Sequence, residues 1–227
     1  MKLTVFAATG GIGRLILDQA LAAGHDVTAV VRNPDRLNAD GRPPERVRVV
    51  RADLADADPQ VLESAVAGAD AVLSGLGARS SAEAGVALHG TAAMIRAMDA
   101  TGVRRIVVVS AAPIGTVATP ARPAPPRHDP GDGFLMRNLL NPMVKRILAA
   151  HYADLARMEE AVLASGLDWT VVRPPRLTDR PGTGRYRTEV GRNVRGGWSI
   201  PRADVARHML RVLDEQETVR RIVSIAA

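Results

Sequence analysis

The run Leu3–Gly13, L-T-V-F-A-A-T-G-G-I-G, decides the fold. A short apolar stretch stops at a glycine turn, and Arg14-Leu15-Ile16-Leu17 opens an amphipathic segment that runs out near Gly24. That order is strand, tight turn, helix start. Glycines let a backbone come close to a ligand, and the free N–H groups of a first helical turn attract a pyrophosphate. A second apolar strand at Val27–Val31 completes the context of a dinucleotide-binding site, against the alternative of an empty β–α turn. Thr9, Gly10, Gly11, Ile12 and Gly13 are the expected cofactor contacts. Ala7 is the departure: the usual three-glycine spacing puts a glycine there, so its methyl must be accommodated or the cofactor shifts slightly.

The 227 residues suffice for one large α/β domain with a substantial core. Hydrophobic residues are 46% and charged residues 24% of the chain, which suits a globule in water. No apolar run is long enough to cross a bilayer and the N-terminus has no signal-peptide pattern, so a cytoplasmic protein that does not engage membranes is expected. The absence of cysteine excludes disulfides, thiolate chemistry and cysteine metal sites, and no metal is expected. A net charge of +6 raises the question of nucleic acid. The charge is nearly all arginine in scattered pairs such as Arg104-Arg105 and Arg220-Arg221, and aromatic residues are only 3%, too few to stack bases. A solvated surface that also attracts a polyanionic cofactor is the better reading.

Along the chain, Val31-Arg32-Asn33-Pro34 ends the second strand. An acidic side chain there accepts a ribose 2′-hydroxyl, whereas a cation accommodates a 2′-phosphate. Arg32, with Arg36 one turn on, points to NADP(H) over NAD(H), unless Arg32 is simply solvated. A polar loop at 38–46 leads to a third strand, Val47–Arg51, and to Asp53-Leu54, where Asp53 either reaches an adenine amino group or caps the turn. Helix Pro59–Ala67 leads to strand Ala71–Leu73, and Gly75 and Gly77 beyond it suit close passage beside a cofactor. A helix is expected over Ser81–Thr101, ended by Gly102. Strand Arg105–Val109 lacks alternation and should be buried on both faces. Ser110 follows it, a hydroxyl at the carboxyl edge where ligands of such sheets bind.

Residues 113–133 hold six prolines and three glycines, a composition that excludes a central element. The place of this loop after Ser110 suggests a lid, spanning 111–133, over the substrate pocket. The region 134–190 is read as the substrate side. Helices are expected over Leu135–Leu140 and Met143–Ser165, broken at Asn141-Pro142. On the longer one Val144, Ile147, Leu148, His151, Leu155, Met158 and Val162 follow one buried face, with Tyr152 beside it. His151 is then either a core histidine or a proton-handling group. Strand Trp169–Arg173 runs into Pro174 and Pro175, followed by a Gly/Thr/Arg loop to Arg187, helix Ala203–Leu213 and strand Arg221–Ile225. The sum is a single-domain α/β, Rossmann-type doubly wound parallel sheet of about seven strands with helices on both faces.

The segments Ala8-Thr9-Gly10-x-x-Gly13, Val30-Val31-Arg32-Asn33-Pro34, Asp53-Leu54, Arg157-Met158-Glu159, Ser165-Gly166-Leu167-Asp168-Trp169-Thr170, Arg173-Pro174-Pro175 and Asp179-Arg180-Pro181-x-x-Gly184-x-Tyr186 together resemble the atypical short-chain dehydrogenases of the NAD(P)H-binding, NmrA-like group. The likeness is greatest to the flavin reductase and biliverdin-IXβ reductase branch and runs to about residue 215, with 113–150 diverging. It implies a single NADP(H)-binding domain, a monomer or weak dimer, that reduces flavins, quinones or tetrapyrroles in a permissive pocket. Other relatives bind NADP(H) as sensors.

Many short-chain dehydrogenases pair a serine with Tyr-x-x-x-Lys, the lysine lowering the tyrosine pKa. Here the fourth residue after Tyr152 is Ala156, and Lys145 lies seven residues before it. A carbonyl-reducing triad is therefore disfavoured. A flavin or quinone needs less help, because the nicotinamide supplies hydride and water can supply a proton. The expected catalytic contacts are Ser110, Tyr152 and His151, with Ser110, Pro174 and Pro175 lining the ring pocket. The alternatives are a non-enzymatic NADP(H) sensor, and a biosynthetic ketoreductase or dehydratase with 113–150 shaping its pocket.

Overall fold

A computed structural model describes residues 1–37, 46–77, 85–133, 138, 146 and 148–227. Five parallel strands alternate with helices through the first half: β1 (Lys2–Phe6), α1 (Gly11–Ala22), β2 (Asp26–Val31), β3 (Val47–Arg51), α2 (Pro59–Val66), β4 (Ala71–Ser74), α3 (Val86–Thr101) and β5 (Arg105–Val109). The second half adds α4 (Ala149–Ala164), β6 (Asp168–Arg173), β7 (Arg176–Thr178), β8 (Arg187–Val190), β9 (Ser199–Pro201), α5 (Arg202–Arg211) and β10 (Arg221–Ala226). The main sheet has the order β3-β2-β1-β4-β5-β6-β10-β8.

The expected doubly wound parallel sheet is present, with eight strands in place of seven. The eighth, β8, pairs antiparallel with β10 at the edge, Val223 opposite Val190. β7 and β9 form a separate parallel pair, Leu177 opposite Ile200. β7 lies within the expected loop to Arg187, and β8 and β9 lie beyond it, where no element was expected. They are only three or four residues long, Arg-Leu-Thr, Arg-Thr-Glu-Val and Ser-Ile-Pro, so neither period-2 alternation nor an apolar run marks them.

Successive strand residues point to opposite faces, and both faces are covered. Ile106 and Val108 pack with Leu62, Met94, Met98, Leu155 and Met158 beneath α2, α3 and α4. Val107 and Val109 pack with Ile16, Leu17, Val205 and Met209 beneath α1 and α5. That is why β5 reads as an unbroken apolar run. Each such side chain, removed fully from water, contributes about 1.5–3 kcal/mol before entropy is counted. Gly102 ends α3 in the left-handed region at φ 73°.

The helix expected from Ser81 is seen from Val86, and residues 78–84 lie outside the described residues, as does the loop 38–45. The long helix is seen from Ala149. Val144 and Ile147 of its stripe, and the segment Leu135–Leu140 apart from Asn138, lie outside the described residues too. Leu148 is exposed, whereas Leu155, Met158 and Val162 are buried as the stripe requires. No helix among the described residues is long and apolar enough to cross a membrane.

The Pro-rich segment is fastened down. Thr119 Oγ1 and Ala121 N–H donate to Glu160 Oε1, both at 2.6 Å. Asp129 Oδ1 accepts from Asn193 N–H at 2.7 Å and from Gly131 N–H at 2.9 Å. Ile114 is fully buried.

Candidate functional site

The chain leaves β1 to build β2 and β3 on one side, then crosses to β4 on the other. Ligands of such sheets bind beyond the strand carboxyl ends at that switch point. Here Phe6 pairs with Ser74, and the turns that follow, Ala7–Gly10 and Gly75–Gly77, lie side by side.

The first turn is built by close backbone approach. Ala7 stands at φ 55°, the left-handed conformation that glycine adopts most readily, and its carbonyl accepts from Gly10 N–H at 2.8 Å. The methyl is accommodated by holding that strained backbone. A Cβ on Gly13 would fall 2.1 Å from Ala7 O, and one on Gly75 would fall 2.7 Å from Gly13 N. These two glycines press α1 onto the ends of β1 and β4. Gly10 begins α1 with no side-chain cap, which leaves the first-turn N–H groups to another partner.

A cavity of about 260 Å³ opens over this turn. Of the residues expected at the site, Thr9, Gly10, Gly11, Ile12, Arg32, Asp53, Leu54, Gly75, Gly77, Ser110 and His151 line it together. They come from the ends of β1 to β5 and from the first turns of α1 and α4. Asp53 is the one carboxylate among the described wall residues, and its Oδ1 accepts from Ala55 N–H at 3.1 Å, the capping role. Arg32 is an exposed cation at the end of β2.

Five expected residues are not in the wall. Pro175 is half-buried just beyond β6. Gly13 is buried in the turn contact just described. Arg36, one turn beyond Arg32, is exposed in a short 3₁₀ turn. Pro174 is buried, its carbonyl accepting from Ala112 N–H at 2.9 Å. Tyr152 points the other way, 8% exposed in the core with Trp169 and Leu167, and burial raises its phenol pKa. None of residues 111–133 contributes to the wall, although a lid was expected there.

His151 does face the cavity, its Cε1 4.0 Å from where a Gly77 Cβ would be. Burial pulls its pKa below the ordinary value, only partly opposed by Asp154. Burial thus favours the neutral imidazole. Asp154 is itself buried and accepts from Ala87 and Leu88 N–H, both at 3.0 Å, so it fixes α4 against the start of α3. Ser110 N–H donates to Val172 O at 2.8 Å, which sets the residue rigidly, yet its buried Oγ has no hydrogen-bond partner among the described residues. A buried hydroxyl left unpaired costs free energy, which a hydrogen-bonding atom in the cavity would recover.

The sequence reading missed Ala7, Val30, Val31, Ala52, Leu76, Val86, Val109, Leu155, Leu177 and Arg202, all in the wall. Most are apolar residues that flank the expected ones and would sandwich a flat ring. Arg202 carries no local signal and reaches the site only through the packing of α5 on α1.

A nucleotide fits these residues: an uncapped helix start, a cation at the β2 end, an unpaired serine hydroxyl and apolar walls. A protein of Bacillus subtilis named an uncharacterized sugar epimerase is 29% identical, over 97% of this chain and 92% of its own. A short-chain dehydrogenase/reductase of Veillonella parvula, solved in complex with NADP, superposes with a TM-score of 0.80 at 18% identity, over 100% of this chain and 94% of that one. An anaerobilin reductase of Escherichia coli superposes with a TM-score of 0.75 at 22% identity, over 100% and 97%. At such identities the solved structures establish the fold. A family model described as NAD(P)H-binding matches residues 7–216, so this chain belongs to the NAD(P)H-binding family.

Proposed function

We propose that the protein is an NADPH-dependent reductase of a flat, conjugated acceptor such as a flavin, a quinone or a tetrapyrrole. The observation that carries this reading is the make-up of the cavity wall beyond the glycine turn. Apart from the charged Arg32, Asp53 and Arg202, it holds one unpaired hydroxyl, Ser110 Oγ, one imidazole, His151, and apolar side chains such as Leu76, Val109, Leu155 and Leu177. That set orients flat rings well and offers little acid–base power.

When bound, a reduced nicotinamide would supply the hydride. The uncapped first turn of α1 would hold the pyrophosphate. Arg32, where a ribose-binding carboxylate would otherwise stand, would hold a 2′-phosphate, whose oxygens a guanidinium fork matches. Ser110 Oγ would donate to a polar atom of the nicotinamide or the acceptor, and the apolar wall would exclude water from the transfer. His151 lines the cavity and, among the described wall residues, is the imidazole placed to pass a proton.

The burial of Tyr152 and the lack of a lysine four residues on weigh against ketone reduction through a tyrosine acid. They weigh equally against sugar epimerisation of the kind that the Bacillus relative's name suggests. NADPH oxidation with a panel of flavins, quinones and a linear tetrapyrrole tests the reading. Turnover well above the enzyme-free rate with at least one of them is expected. Background rates throughout, with tight NADPH binding, would replace it by the sensor alternative.

A further inference from the structure

Gly11 occupies the first position of α1, and its backbone does not need glycine, since its φ is not positive. Glycine is among the poorest helix formers. What the position needs is room. A Cβ there would sit 3.1 Å from both Cδ and Nε of Arg202. Arg202 opens α5, which packs along α1, and Gln19 Nε2 donates to Ala203 O at 3.0 Å. The start of α5 thus lies against α1, and the absent side chain of Gly11 lets the Arg202 side chain reach across the first turn of α1, in the cavity wall with Gly10, Ile12 and Ser110.

A cation on a helix N-terminus is electrostatically out of place, because both present positive charge. Among the described residues one counter-ion is near: Nη1 of Arg202 donates to Oδ1 of Asp179, whose side chain is 88% exposed. A counter-ion so exposed stabilises its partner weakly. An anion seated between the helix start and the guanidinium would satisfy both. The unpaired, buried Oγ of Ser110 in the same cavity independently marks it as a ligand site.

Resting on the reading of this cavity as the dinucleotide site, we propose that Arg202 is a second phosphate-binding group, acting on the pyrophosphate together with the first turn of α1. Gly11 is the notch that admits it, and Asp179 is the counter-ion that the phosphate displaces.

Calorimetry on the full chain tests this with NADPH, with ADP, which carries a pyrophosphate, and with adenosine 2′-monophosphate, which carries none. Arg202→Gln should weaken NADPH and ADP by about 10- to 100-fold, the loss of charge-assisted hydrogen bonds, and leave adenosine 2′-monophosphate within about 2-fold. Arg202→Lys should recover part of the loss, since it keeps the charge and loses the fork. Asp179→Asn should tighten NADPH by about 2- to 5-fold at low salt, by removing a competitor worth a fraction of a charge pair. Circular dichroism and thermal unfolding of each variant confirm the fold. An Arg202→Gln protein that is folded and binds NADPH like the wild type overturns the inference. So does one that loses all three ligands equally. If the wild-type chain binds none of the three, the dinucleotide reading itself has failed and this inference falls with it.

Discussion

Glu159 on α4 and Arg173 at the end of β6 form a buried, two-pronged ion pair. Arg173 Nε donates to Glu159 Oε1 at 2.8 Å and Nη2 donates to Oε2, with both side chains 5% exposed. They belong to Arg157-Met158-Glu159 and Arg173-Pro174-Pro175, two of the segments that carry the family resemblance. The two segments are therefore halves of one contact. A Cβ on Gly115 would fall 2.9 Å from Arg173 Nη1, so the pair also braces the turn after Ser110.

Removing one partner of a buried pair strands the other charge. Glu159→Ala and Arg173→Met should each destabilise the protein by about 3–5 kcal/mol, and the double variant by much less than the sum. Urea unfolding of the three proteins measures this. Additive losses would show that the two side chains are not coupled.

Ala7 and Gly13 face each other across the first turn and should respond in opposite senses. Ala7→Gly relieves a left-handed alanine worth roughly 1–2 kcal/mol and loses part of that to the freer unfolded chain, for a net gain of about 0.5–1 kcal/mol. Gly13→Ala forces a methyl into Ala7 O and should cost on the order of 3 kcal/mol or more, with nucleotide binding lost alongside. Unfolding midpoints and a binding titration check both. A stable, binding-competent Gly13→Ala would refute the packing role of this glycine.

Much of this was legible in the sequence, for a physical reason. The parallel strands are buried on both faces and so spell themselves as apolar runs, and the glycine turn follows from the first of them. Ser110 and Arg32 could be placed because the switch-point rule puts the ends of β5 and β2 at the ligand. The reasons behind other residues were hidden. Gly13 and Gly75 look like ligand-approach glycines; a Cβ on either would also collide with backbone, so both pack the turns together, while Gly75 lines the cavity as expected. His151 and Tyr152 are neighbours in sequence, but successive helical residues are about 100° apart, so one faces the cavity and the other the core. Gly11 and Arg202 meet only through the packing of the two ends of the fold.

His208 on α5 is 1% exposed, and neither ring nitrogen has a hydrogen-bond partner among the described residues. Its ring meets Tyr186 edge-on at 5.6 Å. Burial, aided by Arg211, lowers its pKa from 6.5 to about 4. The unfolded chain thus takes up this proton first as pH falls. Stability is full above about pH 6.5 and drains as pH drops towards 4, by about 3 kcal/mol in all. His208→Leu should flatten that part of the profile. Unfolding free energies at pH 7 and 4.5 decide it, and an unchanged difference in the variant would contradict the assignment.

Ser110→Ala separates stability from function. The variant loses an unpaired buried hydroxyl, so the free protein should be unchanged or more stable by up to about 1 kcal/mol. Acceptor reduction should fall by roughly 10- to 100-fold if Oγ touches the reacting rings. A loss of stability with full activity would reverse the interpretation.

The most direct test of the account is calorimetry of NADPH, NADP, NADH and NAD binding to the wild-type chain and to Arg32→Ala. The account predicts that the phosphorylated cofactors bind at least about 10-fold more tightly than NADH and NAD, the range of a charge-assisted phosphate contact, and that Arg32→Ala erases the preference while NADH affinity stays the same. Equal binding of all four by the wild type, or a preference that survives in Arg32→Ala, would contradict it.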